Sequence, residues 1–180
     1  MNKLEKKIAK YHNKKYCLLT GNGTTAMHII FKTIKRKSDA LFPAITCIQA
    51  VNAAIFANLK VKFTDVNSYN YTMNLDNLKK SLTKNTTIVV PTHTFGHDSE
   101  INKILNFCKK KKIFVLEDAT QAMGGYINGK KIGSFGDASV ISFGYSKILD
   151  CGGGGCVLTD NQGLYNSILK NYDKTPKKIK

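Results

Sequence analysis

Ile113-Phe114-Val115-Leu116-Glu117-Asp118 is a run of four apolar residues entered from lysines and left on two carboxylates. An unbroken apolar run of this kind, rather than an alternating one, suits a strand buried on both faces, and such strands belong to parallel sheets covered by helices. Just before it, Ile101, Ile104, Leu105 and Cys108 recur at helical spacing, and the lysines at 109–112 close that helix favourably for its dipole. After it, Ile127-Asn128-Gly129-Lys130 carries the Asn-Gly pair of a tight hairpin. Residues 138–143 form a second buried strand and 155–158 a third. Asp160 is placed to cap a last helix with Leu164, Ile168 and Leu169 inward, and residues 174–180 read as a frayed, solvated tail.

The N-terminal half continues the alternation. Leu4, Ile8 and Tyr11 mark an amphipathic helix, and residues 16–19 a short strand. Met27, Ile30, Phe31 and Ile34 line the next helix, followed by a strand at 40–43. Ile48, Val51 and Ile55 trace a helix ending near Asn58, before a strand at 61–66. Leu75, Leu78 and Leu82 trace another, then come a strand at 87–90 and a polar loop at 91–97. The pattern predicts an α/β fold, a mostly parallel sheet flanked by helices, as a single domain over residues 1–180.

Lysine and arginine outnumber aspartate and glutamate by 28 to 12, a formal charge of +16 that raises the question of nucleic acid. The lysines are scattered over predicted helix faces and the tail, Arg36 is the single arginine, and no aromatic-interleaved motif accompanies them, so a lysine-rich surface is the preferred reading over a nucleic-acid partner. The five cysteines include no CxxC pair, no apolar stretch is long enough for a membrane helix, and the first residues lack the apolar core of a signal peptide. A reducing cytoplasm is the expected location. His93 and His97 read as loop histidines making ordinary hydrogen bonds, with no third ligand at metal spacing.

Three features fall at successive strand ends: the Gly21-Asn22-Gly23-Thr24-Thr25 helix start, Asp118, and Lys147 within Ser142-Phe143-Gly144-Tyr145-Ser146-Lys147. Each has a plainer reading, as a turn, a helix cap and a surface lysine. Together they match what pyridoxal 5'-phosphate requires. Its phosphate takes helix N–H groups and hydroxyls, with Ser142 able to add one; its ring nitrogen takes a carboxylate, Asp118; its aldehyde takes a lysine, Lys147, as an imine. Lys147 then serves as general base and acid.

These residues carry a resemblance that runs nearly end to end. Asn22-Gly23-Thr24-Thr25-Ala26-Met27-His28, Phe42-Pro43-Ala44-Ile45-Thr46, His93-Thr94-Phe95-Gly96, Glu117-Asp118-Ala119-Thr120-Gln121-Ala122, Gly133-Ser134-Phe135-Gly136-Asp137 and Ser142-Phe143 with Lys147 resemble the DegT/DnrJ/EryC1/StrS sugar aminotransferases. The resemblance implies the large domain of a pyridoxal-phosphate transferase, a three-layer α/β/α unit. It further implies that Lys147 anchors the cofactor, Asp118 meets the ring nitrogen, Gln121 lies near the ring hydroxyl, and Gly23, Thr24 and Ser142 hold the phosphate with Thr25 beside them. The implied reaction moves an amino group from glutamate or glutamine to a nucleotide-linked keto sugar for polysaccharide or related glycan assembly. Relatives with histidine at the lysine position act as dehydratases, so Lys147 favours transamination. Two positions depart from the pattern: Cys47, where an aromatic residue often stacks on the ring, and Met123, where histidine is frequent. The resemblance covers the cofactor-binding large domain and not the small C-terminal domain. That leaves two readings, a truncated or split enzyme and a non-catalytic remnant or partner subunit, and because the family's site spans a homodimer interface, a second copy or a complementing chain is the expected partner.

Overall fold

A computed structural model of the protein describes residues 1–34 and 38–173. The elements follow in order: α1 (Lys3–Tyr11), β1 (Tyr16–Thr20), α2 (Gly23–Ile34), β2 (Asp39–Pro43), α3 (Ile48–Phe56), β3 (Lys60–Thr64), α4 (Leu75–Ser81), β4 (Thr86–Val89), α5 (Ile101–Lys111) and β5 (Phe114–Asp118). After them come the hairpin β6 (Tyr126–Ile127) and β7 (Lys130–Lys131), then β8 (Ala138–Ser142), β9 (Gly155–Thr159) and α6 (Gln162–Asp173). Seven strands form one sheet in the order β1-β9-β8-β5-β4-β2-β3. The run from β8 to β3 is parallel throughout, whereas β9 is antiparallel to both its neighbours.

Period-two alternation along the strands divides the interior between two faces. Leu18, Ala40, Phe42, Ile88, Leu116, Val140 and Val157 point to one core, which they share with residues of α2, α3 and α6. Cys17, Leu41, Val89, Val115, Ile141, Cys156 and Leu158 point to the other, shared with α1, α4 and α5. The result is the expected three-layer α/β/α arrangement around a mostly parallel sheet. The hairpin is also present, with Asn128 at φ 49° and Gly129 at φ 76°, the two positive angles that a type I′ turn demands.

Three local expectations are corrected. In α1 the inward residues are Glu5 and Ala9, while Leu4 and Tyr11 are exposed. Glu5 is a tether: one oxygen accepts from the Asn2 N–H at 2.7 Å in a capping box, and the other accepts from Leu19 N–H in β1 at 3.0 Å. In α3, Ile48 and Ile55 are exposed and Ala50, Val51, Ala53 and Ala54 face inward, because small side chains let this helix lie close against α2. The last helix is capped by Asn161, whose Oδ1 accepts from Leu164 N–H at 3.0 Å. Asp160 instead accepts from Lys15 N–H at 2.9 Å and from the buried Lys14 Nζ at 3.1 Å. The expected tail at 174–180, with Arg36, lies outside the described residues.

β9 enters the sheet with no room to spare. A Cβ on Gly155 would stand 2.5 Å from Gly23 N and 2.6 Å from Asn22 C, both backbone atoms that cannot move aside. Gly155→Ala should therefore destabilise the fold by roughly 3 kcal/mol, the upper range for overpacking. Gly153→Ala, where nothing lies within 4 Å, should change little. Urea midpoints of the two variants check the contrast.

His12 is fully buried, with Nδ1 3.1 Å from the Ile132 carbonyl and Nε2 without a partner among the described residues. Burial holds its pKa below the ordinary value of 6.5, against the smaller opposing effects of that carbonyl and of Glu117. The fold thus favours neutral His12. Its contribution is complete above about pH 6.5 and is lost as pH falls through the lowered folded value. Thermal melts between pH 7.5 and 5 should show this loss in the wild type, and His12→Asn should flatten it whatever its baseline stability.

Candidate active site

The parallel strands β5 and β8 deliver Asp118 and Ser142 to the same edge of the sheet. Because β9 runs antiparallel to β8, the connection between them turns back at that edge and does not cross over to the far side. Lys147 sits in this returning segment. The base of the loop is closed by Cys151 N–H donating to Phe143 O at 2.9 Å and Phe143 N–H donating to Gly154 O at 2.9 Å, and Gly154 N–H donates to Gly21 O at 3.0 Å. The last bond ties the loop to the turn before α2.

A cavity of about 140 Å3 lies where these segments meet, lined by residues that include Gly23, Thr24, Asp118, Ser142 and Lys147. Five of the seven site residues expected from the sequence thus share one pocket. Gly23 is held against Ser142, 3.1 Å separating an added Cβ from Ser142 Cβ, so a side chain there would fill the floor. Thr25 does not line the pocket; its N–H donates to Asn22 Oδ1 at 2.7 Å, which caps α2. The Ala26 N–H is taken by the Asn22 carbonyl, and the Thr24 N–H has no partner among the described residues. Gln121 also stands outside the lining and accepts from Phe95 N–H at 3.3 Å.

Asp118 is almost fully buried, with Oδ1 accepting from Thr120 N–H at 3.0 Å. Burial pushes its carboxyl above the ordinary range, opposed by Thr120 and by the nearby charges of Lys147 and His93. A cation placed beside such a group draws it back toward its ionised form. Cys47, exposed and at the N-cap of α3, also lines the pocket, with Gln49 and Ala50. Sequence reasoning gave no site role to Gln49, Asn22 or Thr120; Asn22 and Thr120 stand inside quoted motifs, and Gln49 carries no signal of its own.

Behind the pocket lies Glu117, with no solvent exposure. Its Oε1 accepts from Gly133 N–H at 2.6 Å, and its Oε2 from Phe135 N–H at 2.8 Å, Gly136 N–H at 2.9 Å and Ser139 Oγ at 2.7 Å. Burial alone would drive this carboxyl toward its neutral form, yet the adjacent His93 ring and the bonds from Gly136 and Ser139 hold it down to about 2. No group of three or more His, Cys, Asp or Glu suited to a metal occurs among the described residues, and no described helix is long and apolar enough to cross a membrane.

Known proteins share this arrangement of chain. GDP-perosamine synthase of Escherichia coli O157:H7 is 30% identical over 171 residues, covering 94% of this chain and 47% of its own. The chain therefore spans about half the length of the curated relatives it matches. Among solved structures, an aminotransferase from Psychrobacter cryohalolentis superposes with a TM-score of 0.88 at 26% identity, over 92% of this chain and 42% of that one. NtdA from Bacillus subtilis, with bound cofactor PMP, does so at 0.85 and 25% identity, over 92% and 38%. With the family's sequence profile matching residues 1–174, essentially the whole described chain and every segment around the pocket, the protein belongs to the DegT/DnrJ/EryC1/StrS aminotransferase family.

Proposed function

We propose that this chain is the cofactor-binding part of a pyridoxal-phosphate-dependent aminotransferase that exchanges an amino group of glutamate or glutamine for the carbonyl oxygen of a nucleotide-linked keto sugar. The observation that carries the reading is the convergence of Gly23, Thr24, Asp118, Ser142 and Lys147 on one pocket. The residues fit the group. Asp118, buried and pushed away from ionisation, is stabilised as an anion by a cationic ring N–H. The Thr24 N–H at the start of α2, unpaired among the described residues, the Ser142 hydroxyl and the side-chain-free floor at Gly23 suit a phosphate.

When bound, the cofactor supplies an electron sink for the pair released on deprotonating an amine-bearing carbon. The chain's own residues do the rest. Lys147 Nζ would hold the aldehyde and, as general base and acid, would move a proton between the substrate carbon and the cofactor carbon. Asp118 keeps the ring nitrogen protonated, Gln121 is assigned to the ring-hydroxyl side through the turn at Phe95, and Thr25 supports the phosphate seat indirectly by completing the Asn22 cap. Lysine at position 147 favours transamination over the dehydration of histidine-bearing relatives. The sugar nucleotide and a second copy or complementing chain would be met on the open side of the pocket; on either side of Lys147 in the chain, Tyr145 and Ile148 are exposed.

Two measurements test this. Purified protein given pyridoxal phosphate should turn yellow, and borohydride should then fix the cofactor to the peptide bearing Lys147. Lys147→Ala should lose the adduct and slow the half-reaction with glutamate by at least about 10²-fold, the contribution expected of a general base. A colourless, unlabelled wild type would sink the proposal, and binding without any half-reaction would favour a non-catalytic role.

The thiols offer an independent check. Cys47 lines the pocket and Cys151 does not, although both are exposed, and Cys17, Cys108 and Cys156 are buried. Bound cofactor should slow iodoacetamide labelling of Cys47 severalfold and leave Cys151 unchanged, as followed by peptide mass spectrometry.

A further inference from the structure

Glu117 and His93 stand one layer behind the pocket, and neither lines it. Glu117 is fastened by four donors to the segment 133–139. His93, equally buried, places Nε2 3.3 Å from Glu117 Oε1. Nε2 forms no hydrogen bond among the described residues, so the ring meets Glu117 by close approach. On the other side of the ring, Nδ1 is 3.1 Å from the His97 carbonyl, which can only accept, so Nδ1 carries a hydrogen.

The backbone of His93 is engaged on both sides, like its ring. Its N–H donates to the Asp118 carbonyl at 3.0 Å, and the Asp118 N–H donates to the Pro91 carbonyl at 2.9 Å, a parallel bridge at the end of β5. Its carbonyl accepts from Gly96 N–H at 3.1 Å, closing the turn Thr94–Gly96. Within that turn Phe95 adopts φ 53° and is 74% exposed, so its own packing does not hold it there. The Phe95 N–H is the donor that reaches Gln121 Oε1. One residue therefore meets Glu117 through its ring, Asp118 through its N–H, and both ends of the turn that reaches Gln121.

We propose that His93 is a positioning residue: seated against Glu117, its ring staples the 93–97 turn and so fixes the backbone from which Asp118 and Gln121 are presented to the pocket. The geometry stands on its own, while the consequence for cofactor binding rests on the function proposed above.

The test has one arm without cofactor and one with it. In the cofactor-free protein, His93→Ala should speed amide hydrogen exchange at Phe95, Gly96 and Asp118 by roughly tenfold, the loss of about one net hydrogen bond, and leave Val140 and Ile141 in β8 unchanged. His93→Asn, whose amide can still reach the His97 carbonyl, should restore slow exchange at Gly96. In the second arm, absorbance titration should show the Kd for pyridoxal phosphate about tenfold weaker in His93→Ala. Unchanged exchange at the three amides overturns the staple whether or not cofactor binds, and so does faster exchange that extends equally into β8. Faster local exchange with unaltered cofactor affinity overturns the link to Asp118 and Gln121. Faster local exchange in a protein whose wild type binds no cofactor supports the staple and removes the functional reading instead.

Discussion

A carboxylate with no access to solvent has to find all its compensation inside the protein, and Glu117 is such a group. Burying an ion costs several kcal/mol, while a hydrogen bond to a charged group contributes about 1.5–3 kcal/mol, so the four donors around Glu117 are of the right size to offset the cost and a pair of them would not be. Gathering three backbone N–H groups onto one carboxylate dictates the path of the chain before β8. Gly133 takes φ 93°, and Gly136 passes so close to Glu117 Cβ and the Ala138 carbonyl that no side chain would fit. The start of β8 is placed by this arrangement, and with it Ser142 at the far end of the strand.

Strand direction supplies the second constraint. A parallel neighbour of β8 would have needed a crossover carrying the chain to the opposite edge of the sheet. The antiparallel β9 keeps the whole of the 143–154 connection at the edge where Asp118 emerges, and its first residue, Gly155, sits against the backbone of Asn22 and Gly23. Three segments far apart in the chain are thereby brought to one small cavity. Their meeting is made by main-chain contacts more than by side-chain packing.

Much of this was legible in the residues. Apolar runs marked β5 and β8, the Asn-Gly pair marked the hairpin, and the order of Gly23, Asp118 and Lys147 along the chain foretold a shared pocket. The inward faces of α1 and α3 were not legible, because a glutamate used as a tether and a set of alanines used for close approach carry no hydrophobic stripe. Asp160 and Asn161 are adjacent and both competent to cap, and only the pull of Lys14 and Lys15 on the first decides between them. The pairing of His93 with Glu117 left no periodic trace, and the direction of β9 is not encoded in its burial pattern, which reads the same either way. The engagement of the Thr25 N–H by Asn22 is likewise a matter of local geometry.

The contact of Gly155 with Gly23 has a consequence for how such a protein can be altered. A floor built where one main chain touches another offers no side chain to exchange, so its shape is not adjustable by substitution; it is either kept or broken. The rest of the lining is the reverse, with the side chains of Cys47 and Gln49 among it. Any retuning of what the pocket accepts has to be written in those lining side chains, and the floor acts as a fixed datum against which a new acceptor is measured.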